Sequence, residues 1–294
     1  MKQHSDPLSP LKAWGILIFL SLIWGTSYIL IKKGLETFPF EQVASIRLGV
    51  SALLLLPYLA WQFRRINWSR WPLMIVVGLT GTGIPSFLFP IAQTQISSSA
   101  AGILNSLSPV FTLLIGALFF RSKVSWLKIL GVITGLMGAV LLILSGKQGG
   151  AEGNFWYGGF VILATLCYGT SSNLVAYKLR DMNPVAISAT SFVMVGLPAL
   201  LFLFQTDFTE RMQTQPESWT ALGYIALLAL MSTVMASIIF FQLVHRTNPV
   251  FASTVSYIVP AVAVMWGLFD GEHIGLFHVL AMVLILAGVY LSRH

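Results

Sequence analysis

Apolar runs near twenty residues long recur ten times in this chain, and little else can be built from such a pattern. They fall roughly at 13–32, 42–63, 72–93, 97–120, 126–145, 155–177, 185–205, 219–241, 249–269 and 275–292. About 20 apolar residues span the hydrocarbon core of a bilayer as an α-helix. Inside that core every backbone N–H and C=O must be satisfied within the segment, so runs of this kind form helices. Charged residues make up 9% of the sequence, against about 25% in a soluble domain, too few to clothe a water-facing surface. The expected fold is an all-α integral membrane protein of ten transmembrane helices in a lipid bilayer. The first run, Trp14 to Ile31, is long, lacks a small-x-small cleavage site and ends in Lys32-Lys33; it reads as a retained helix rather than a signal peptide. Loops are short, the longest running from Thr206 to Ser218.

An even number of spans puts both termini on one side, and the basic residues say which. With the termini inside, Lys2, Lys12, Arg64, Arg65, Arg70, Arg121, Lys123, Lys128, Lys178, Arg180, Arg246 and Arg293 face the cytoplasm, against Lys32, Lys33, Lys147 and Arg211 outside. That bias predicts cytoplasmic termini. The net charge of +7 is dispersed over helix ends with no basic stripe, so it carries no signal for nucleic acid. One cysteine, Cys167, excludes an internal disulfide and a cysteine-based metal site.

The ten runs are not independent. Ser108-Pro109 in the fourth corresponds to Val259-Pro260 in the ninth, Arg121 to Glu272, and Gly138 to Gly288. Trp24-Gly25-Thr26-Ser27-Tyr28 in the first corresponds to Tyr168-Gly169-Thr170-Ser171-Ser172 in the sixth, and the second and seventh each follow a proline, Pro39 and Pro184. The first five runs therefore match the last five. Five is odd, so the second half enters the membrane from the opposite side. The expectation is two inverted five-helix repeats, 13–145 and 154–292, around a central cavity, a plan common among secondary transporters.

Several polar residues bear on what such a cavity holds. Ser21, Trp24, Tyr28 and Lys32 share one face of the first helix, and Thr165, Tyr168, Ser172 and Ala176 one face of the sixth. Such stripes serve either helix packing through small residues and hydroxyls or a cavity wall on which Trp24 and Tyr168 offer stacking faces. Lys32 either snorkels to the outer surface or offers a cation to a substrate carboxylate. Arg47 lies one to two turns inside the second helix, where a charge faces protein or water; Glu41 or Glu36 would be its structural partner, a substrate anion its functional one. Asn105, Ser108 and Thr112 share a face of the fourth helix, mirrored by Ser256 and Tyr257 in the ninth. Pro85, Pro109 and Pro260 are expected kinks that free backbone carbonyls at the repeat interface. The fifth and tenth helices, with Gly131, Gly135, Gly138 and Gly288, carry a small-residue packing pattern and read as scaffold or as a contact with a second subunit. No Asp or Glu sits deep in a run; Glu36, Glu41, Asp270 and Glu272 fall at outer ends. No metal-binding, Walker, HExxH or GxSxG pattern is present, so neither a cofactor nor enzymatic chemistry is expected.

Trp24-Gly25-Thr26-Ser27, the following Lys32-Lys33, Arg47 within Ser45-Ile46-Arg47-Leu48, and the Ser108-Pro109 and Val259-Pro260 blocks resemble the EamA family of the drug/metabolite transporter superfamily. The resemblance covers nearly the whole chain. It implies ten helices in two inverted repeats, and export of amino acids or other small metabolites across the bacterial cytoplasmic membrane, by a monomer or a homodimer. Such a protein would hold substrate with Trp24, Tyr28, Lys32, Arg47, Asn105, Ser108, Tyr168, Ser172, Ser256 and Tyr257. One departure is that Arg121 stands where the family often carries an acid, whereas the second half keeps Gly271-Glu272. Import or exchange of sugar phosphates or nucleotide sugars, also known in this superfamily, would call for several buried cations. A scaffold would call for an interaction domain or long tail.

Overall fold

The computed structural model describes residues 9–120, 125–145, 155–247, 252 and 255–293. All the regular structure among them is helical. We label the main rods α1 (Pro10–Leu35), α2 (Phe40–Gln62), α3 (Trp68–Gln93), α4 (Ser98–Phe120), α5 (Trp126–Ser145), α6 (Gly158–Lys178), α7 (Pro184–Leu203), α8 (Glu217–Leu243, continuing to Arg246), α9 (Val255–Phe269) and α10 (Leu276–Arg293). Among the described residues, eight of these, α1 to α8, are long and apolar enough to cross a membrane. The stretches at the ninth and tenth expected spans form two shorter apolar helices, Val255–Phe269 and Leu276–Leu291. Arg121, Lys123 and Lys147 lie outside the described residues, as does part of the ninth expected span.

The outer surface is what a lipid-facing bundle requires. Phe19, Leu22, Leu53, Leu54, Met137, Leu201 and Val283 are all exposed, while serines 21, 45, 51, 86, 99, 188 and 191 are fully buried. A water-soluble core inverts that distribution. Many hydroxyls are absorbed by their own helices: Ser21, Thr26, Ser51 and Thr112 each donate to the carbonyl four residues earlier, which satisfies the hydroxyl without a partner helix.

The rods pack in a pattern that survives exchanging α1–α5 with α6–α10. The neighbours α1·α9 and α6·α4 exchange with one another, as do α1·α8 and α6·α3, and α3·α7 and α8·α2, while α2·α7, α4·α9 and α5·α10 map onto themselves. The α5·α10 pair is closed by glycine. A Cβ on Gly288 would strike the backbone of Gly131 and Gly135, and one on Gly138 would meet Ile285 and the Ala281 carbonyl. The expected packing role of these glycines is therefore met between α5 and α10 themselves.

The breaks differ from those expected of the prolines. α3 and α8 each contain a wide, π-helical stretch, Leu79–Gly83 and Leu228–Met235, at matching places in the two halves. Pro85 is the second residue of the regular segment Ile84–Gln93, so the irregularity precedes it. Pro109 follows a true break, Ser106-Leu107, between Ser98–Asn105 and Ser108–Phe120. Pro260 sits inside the unbroken helix Val255–Phe269, so the expected matching break in α9 is absent there. The loop after α7 holds a short helix, Phe208–Thr214, which hydropathy gave no reason to expect. It is tied to α2 by Gln42 Nε2, which donates to Thr206 Oγ1 (3.0 Å) and Asp207 Oδ1 (2.6 Å).

Candidate functional site

The breaks converge on one cavity of about 170 Å³ at the centre of the bundle. Its walls come from α1, α2, α3, α4, α6, α7, α8 and α9. The lining runs from Val175 of α6, Phe241 of α8 and Val255 of α9 to Ile31 of α1, Arg47 of α2 and Phe89 of α3. Of the residues anticipated from sequence, Trp24, Tyr28, Arg47, Asn105, Ser108, Tyr168, Ser172 and Ser256 line it, together with Pro109.

Three contacts fix the polar side of the wall. The Trp24 indole N–H donates to the Ser232 carbonyl at 3.0 Å, and Ser232 Oγ returns a hydrogen bond to the Ile23 carbonyl at 3.3 Å. The wide turn of α8 thus finds a donor on α1 for a backbone carbonyl, as irregular backbone in a membrane must. Next to it, Arg47 Nε donates to Thr233 Oγ1 at 2.8 Å. Arg47 is 8% exposed and lies against Tyr168 and Tyr28. Among the described residues it makes no ion pair: Glu36 pairs with Lys33 instead, and Glu41 does not reach the guanidinium. The structural partners expected for Arg47 are replaced by a threonine hydroxyl and two phenols.

Aromatic rings form the rest. Tyr28 and Phe89 have centroids 5.7 Å apart, and Phe89 stacks on Tyr168 at 6.0 Å with 25° between planes. Trp24 meets Phe240 at 5.2 Å. On α6, Asn173 donates to the Thr112 and Gly169 carbonyls at 2.9 and 2.8 Å. Gly169 has no room for a Cβ against the Phe111 and Thr112 backbone, so α4 and α6 approach closely just where α4 resumes after its break.

Two anticipated residues stand elsewhere. Tyr257 is half-buried among apolar side chains beside the main core and does not reach the cavity wall. Lys32 belongs to a polar cluster beyond Ile31, at the C-terminal end of α1. Its Nζ bridges Asp270 Oδ2 (2.6 Å) and Glu272 Oε1 (3.0 Å), and Lys33 bridges Asp270 (2.9 Å) and Glu36 (2.7 Å). Glu272, in the turn after α9, has only 6% of its side chain exposed. Its Oε1 accepts from the Ser98 N–H (2.9 Å) and hydroxyl (2.8 Å), and its Oε2 from the Ser99 N–H (3.1 Å) and hydroxyl (2.6 Å). These are the first N–H groups of α4, where a carboxylate also meets the favourable end of the helix dipole. Burial raises the affinity of Glu272 for a proton, but the hydrogen bonds from Ser99, Ser98 and Lys32 outweigh it, and the carboxyl is held below its usual range. For Asp270 burial is likewise outweighed, by Lys32 and Lys33. Gly267 makes the approach possible, since a Cβ there would collide with Ser99 Oγ and Glu272.

Sequence reasoning passed over Thr82, Ser232, Thr233 and Ser237, which line the cavity from α3 and α8. The available signals were the Thr80-Gly81-Thr82-Gly83 and Ser232-Thr233 pairs inside otherwise apolar runs.

The sequence pattern of the EamA-like transporter family matches residues 12–144 and again residues 156–293. The inner membrane transporter YedA of Escherichia coli K12, itself uncharacterized, is 27% identical over 287 residues, covering 96% of this chain and 90% of its own. The uncharacterized transporter YdfC of Bacillus subtilis is 29% identical over 276 residues, covering 91% and 86%. An uncharacterized transporter of Archaeoglobus fulgidus is 22% identical, covering 96% and 98%. One crystal structure, 16% identical, matches with a TM-score of 0.63 over 97% of both chains, a likeness of fold alone. With two matches that together span nearly all of its length, and with transporters for relatives, this multi-pass membrane protein belongs to the EamA-like transporter family.

Proposed function

We propose that the chain is a secondary transporter of the bacterial cytoplasmic membrane that exports small organic solutes carrying a carboxylate, such as amino acids and related metabolites, by alternating access. The observation that carries this reading is Arg47: a guanidinium buried in the cavity wall, with no carboxylate beside it among the described residues. A buried charge left without a counter-ion is costly, and an anionic substrate supplies one. Ten spans in two inverted repeats, 13–145 and 154–292, would place that cavity on a pseudo-two-fold axis in the membrane plane. The exchangeable packing of α1–α5 and α6–α10 and the repeated family match support that arrangement, and the distribution of Lys and Arg supports cytoplasmic termini.

In this topology the Lys32–Asp270–Glu272 cluster spans the outer end of the cavity, beyond Ile31. That cluster suits a state closed outward. Lys32 then acts in closure rather than on the substrate. Import of sugar phosphates or nucleotide sugars fits less well, because a phosphate monoester carries about two negative charges and Arg47 is the one cation among the described lining residues. The test is counterflow in proteoliposomes with a panel of labelled carboxylate solutes. Saturable exchange of at least one supports the reading; no exchange across the panel refutes it.

A further inference from the structure

We propose that the cavity selects solutes with a single anionic group on an aromatic or flat apolar body, and that an ammonium group on the solute works against binding. This rests on the transporter reading above and narrows its substrate class, away from amino acids, which carry an ammonium group, and toward related carboxylates without one. The first ground is charge. Arg47 is the only ionised side chain among the described lining residues, and no Asp or Glu is among them. The nearest acids of the outer cluster, Asp270 and Glu272, are held by Lys32, Lys33, Ser98 and Ser99.

The second ground is the fate of the carbonyls that the broken helices free. In a discontinuous membrane helix such carbonyls are the natural ligands of a cation. Here the chain uses them itself. Trp24 takes the Ser232 carbonyl at 3.0 Å and Ser108 takes the Asn105 carbonyl at 2.7 Å. The Thr233 hydroxyl oxygen already accepts from Arg47. An ammonium group brings three donors that all need acceptors, and it would sit beside a guanidinium of its own sign. A carboxylate brings only acceptors, which the guanidinium and the Tyr28 and Tyr168 hydroxyls can serve. Arg is suited to planar carboxylates through its fork of donors. The third ground is the run of rings Tyr28, Phe89 and Tyr168, the first pair tilted at 5.7 Å and the second stacked at 6.0 Å, beside that guanidinium; it offers ring faces to a flat body.

The test is equilibrium binding to the purified full-length protein in nanodiscs by calorimetry, with three probes that share a phenyl ring: 3-phenylpropionate, L-phenylalanine and 2-phenylethylamine. 3-Phenylpropionate is expected to bind tightest, L-phenylalanine about tenfold or more weakly because of its unmatched donors, and 2-phenylethylamine not at all. Arg47→Ala should remove 3-phenylpropionate binding, and Arg47→Lys, which keeps the charge and loses the fork, should retain part of it. The wild-type order needs no variant and stands even if Arg47→Ala fails to fold. L-phenylalanine binding as tightly as 3-phenylpropionate, or tighter, overturns the inference while leaving the transporter reading intact. So does binding by 2-phenylethylamine, or binding by none of the three when counterflow of another carboxylate succeeds.

Discussion

Replacing Glu272 with Gln probes the outer cluster with almost no change of shape. The native carboxylate accepts three hydrogen bonds on Oε1, from the Ser98 N–H, the Ser98 hydroxyl and Lys32, and two on Oε2, from the Ser99 N–H and hydroxyl. A Gln amide must turn its NH₂ toward one serine pair or the other. Hydroxyls can rotate to accept from it, but a backbone N–H cannot, so one buried donor at the start of α4 is orphaned whichever way the amide lies. An unsatisfied buried donor costs about 1–3 kcal/mol. The lost attraction to Lys32 adds little, since that side chain is 32% exposed and the pair is screened. A closed state weakened by about 2 kcal/mol opens about 30-fold more often. The assay is the labelling rate of a cysteine placed at Ile31 in a Cys167→Ser background, with a membrane-impermeant reagent added outside. Ile31 is 1% exposed and lies between the cavity and the cluster. The rate should rise about 30-fold in Glu272→Gln. An unchanged rate would show that the cluster does not close the outer end. Acidity should act in the same direction. The closed state holds the Glu272 and Asp270 carboxyls below their usual range, so opening takes up protons at acid pH. The closure is complete above the usual carboxylate range and is lost as pH falls through the depressed values. Labelling relative to that of a fully exposed reference cysteine, which cancels the pH dependence of the thiolate, should be flat from about pH 6 to 8 and rise below about pH 4. Lys32, Lys33 and His278 are the other titratable groups around these carboxylates.

Gly288→Val should prevent proper closure of α5 on α10, a loss of about 3 kcal/mol or more, seen as a fall in the folded fraction on size exclusion; Gly223→Val, where a Cβ meets nothing within 4 Å, is the control that should behave as wild type. Trp24→Phe keeps the ring but leaves the Ser232 carbonyl without its donor, and thermal unfolding in detergent should show a loss of about 1–3 kcal/mol; no change would mean that water replaces the indole. A protease-cleavable tag on either terminus should be cut in inside-out vesicles and protected in intact cells; the reverse would overturn the assigned orientation.

Much of the site was legible because its polar residues interrupt runs that have no other use for them. Trp24, Tyr28 and Tyr168 stand out by helical spacing, and Arg47 by the cost of a charge inside a span. What was hidden depends on partners distant in the chain. From sequence Glu272 reads only as an acid at a helix end; its partners, at the start of α4, lie more than 170 residues earlier in the chain. Lys32 shares the stripe of Trp24 and Tyr28, and spacing alone cannot tell that its tip ends at Asp270 instead of in the cavity. The wide turns of α3 and α8 leave no mark in hydropathy, because they alter hydrogen-bond register and not residue type. Proline proved a partial guide: it sits at a break in α4, just after one in α3, and inside an unbroken helix in α9.

The claim on which the function rests is that Arg47 meets the charge of the solute. Its most direct test is flux of a carboxylate substrate into proteoliposomes by Arg47→Ala, at matched amounts of inserted, monodisperse protein. Removing a charge-assisted hydrogen bond of about 1.5–3 kcal/mol predicts a fall in transport at low substrate of about 10- to 150-fold. Flux equal to wild type would contradict the account.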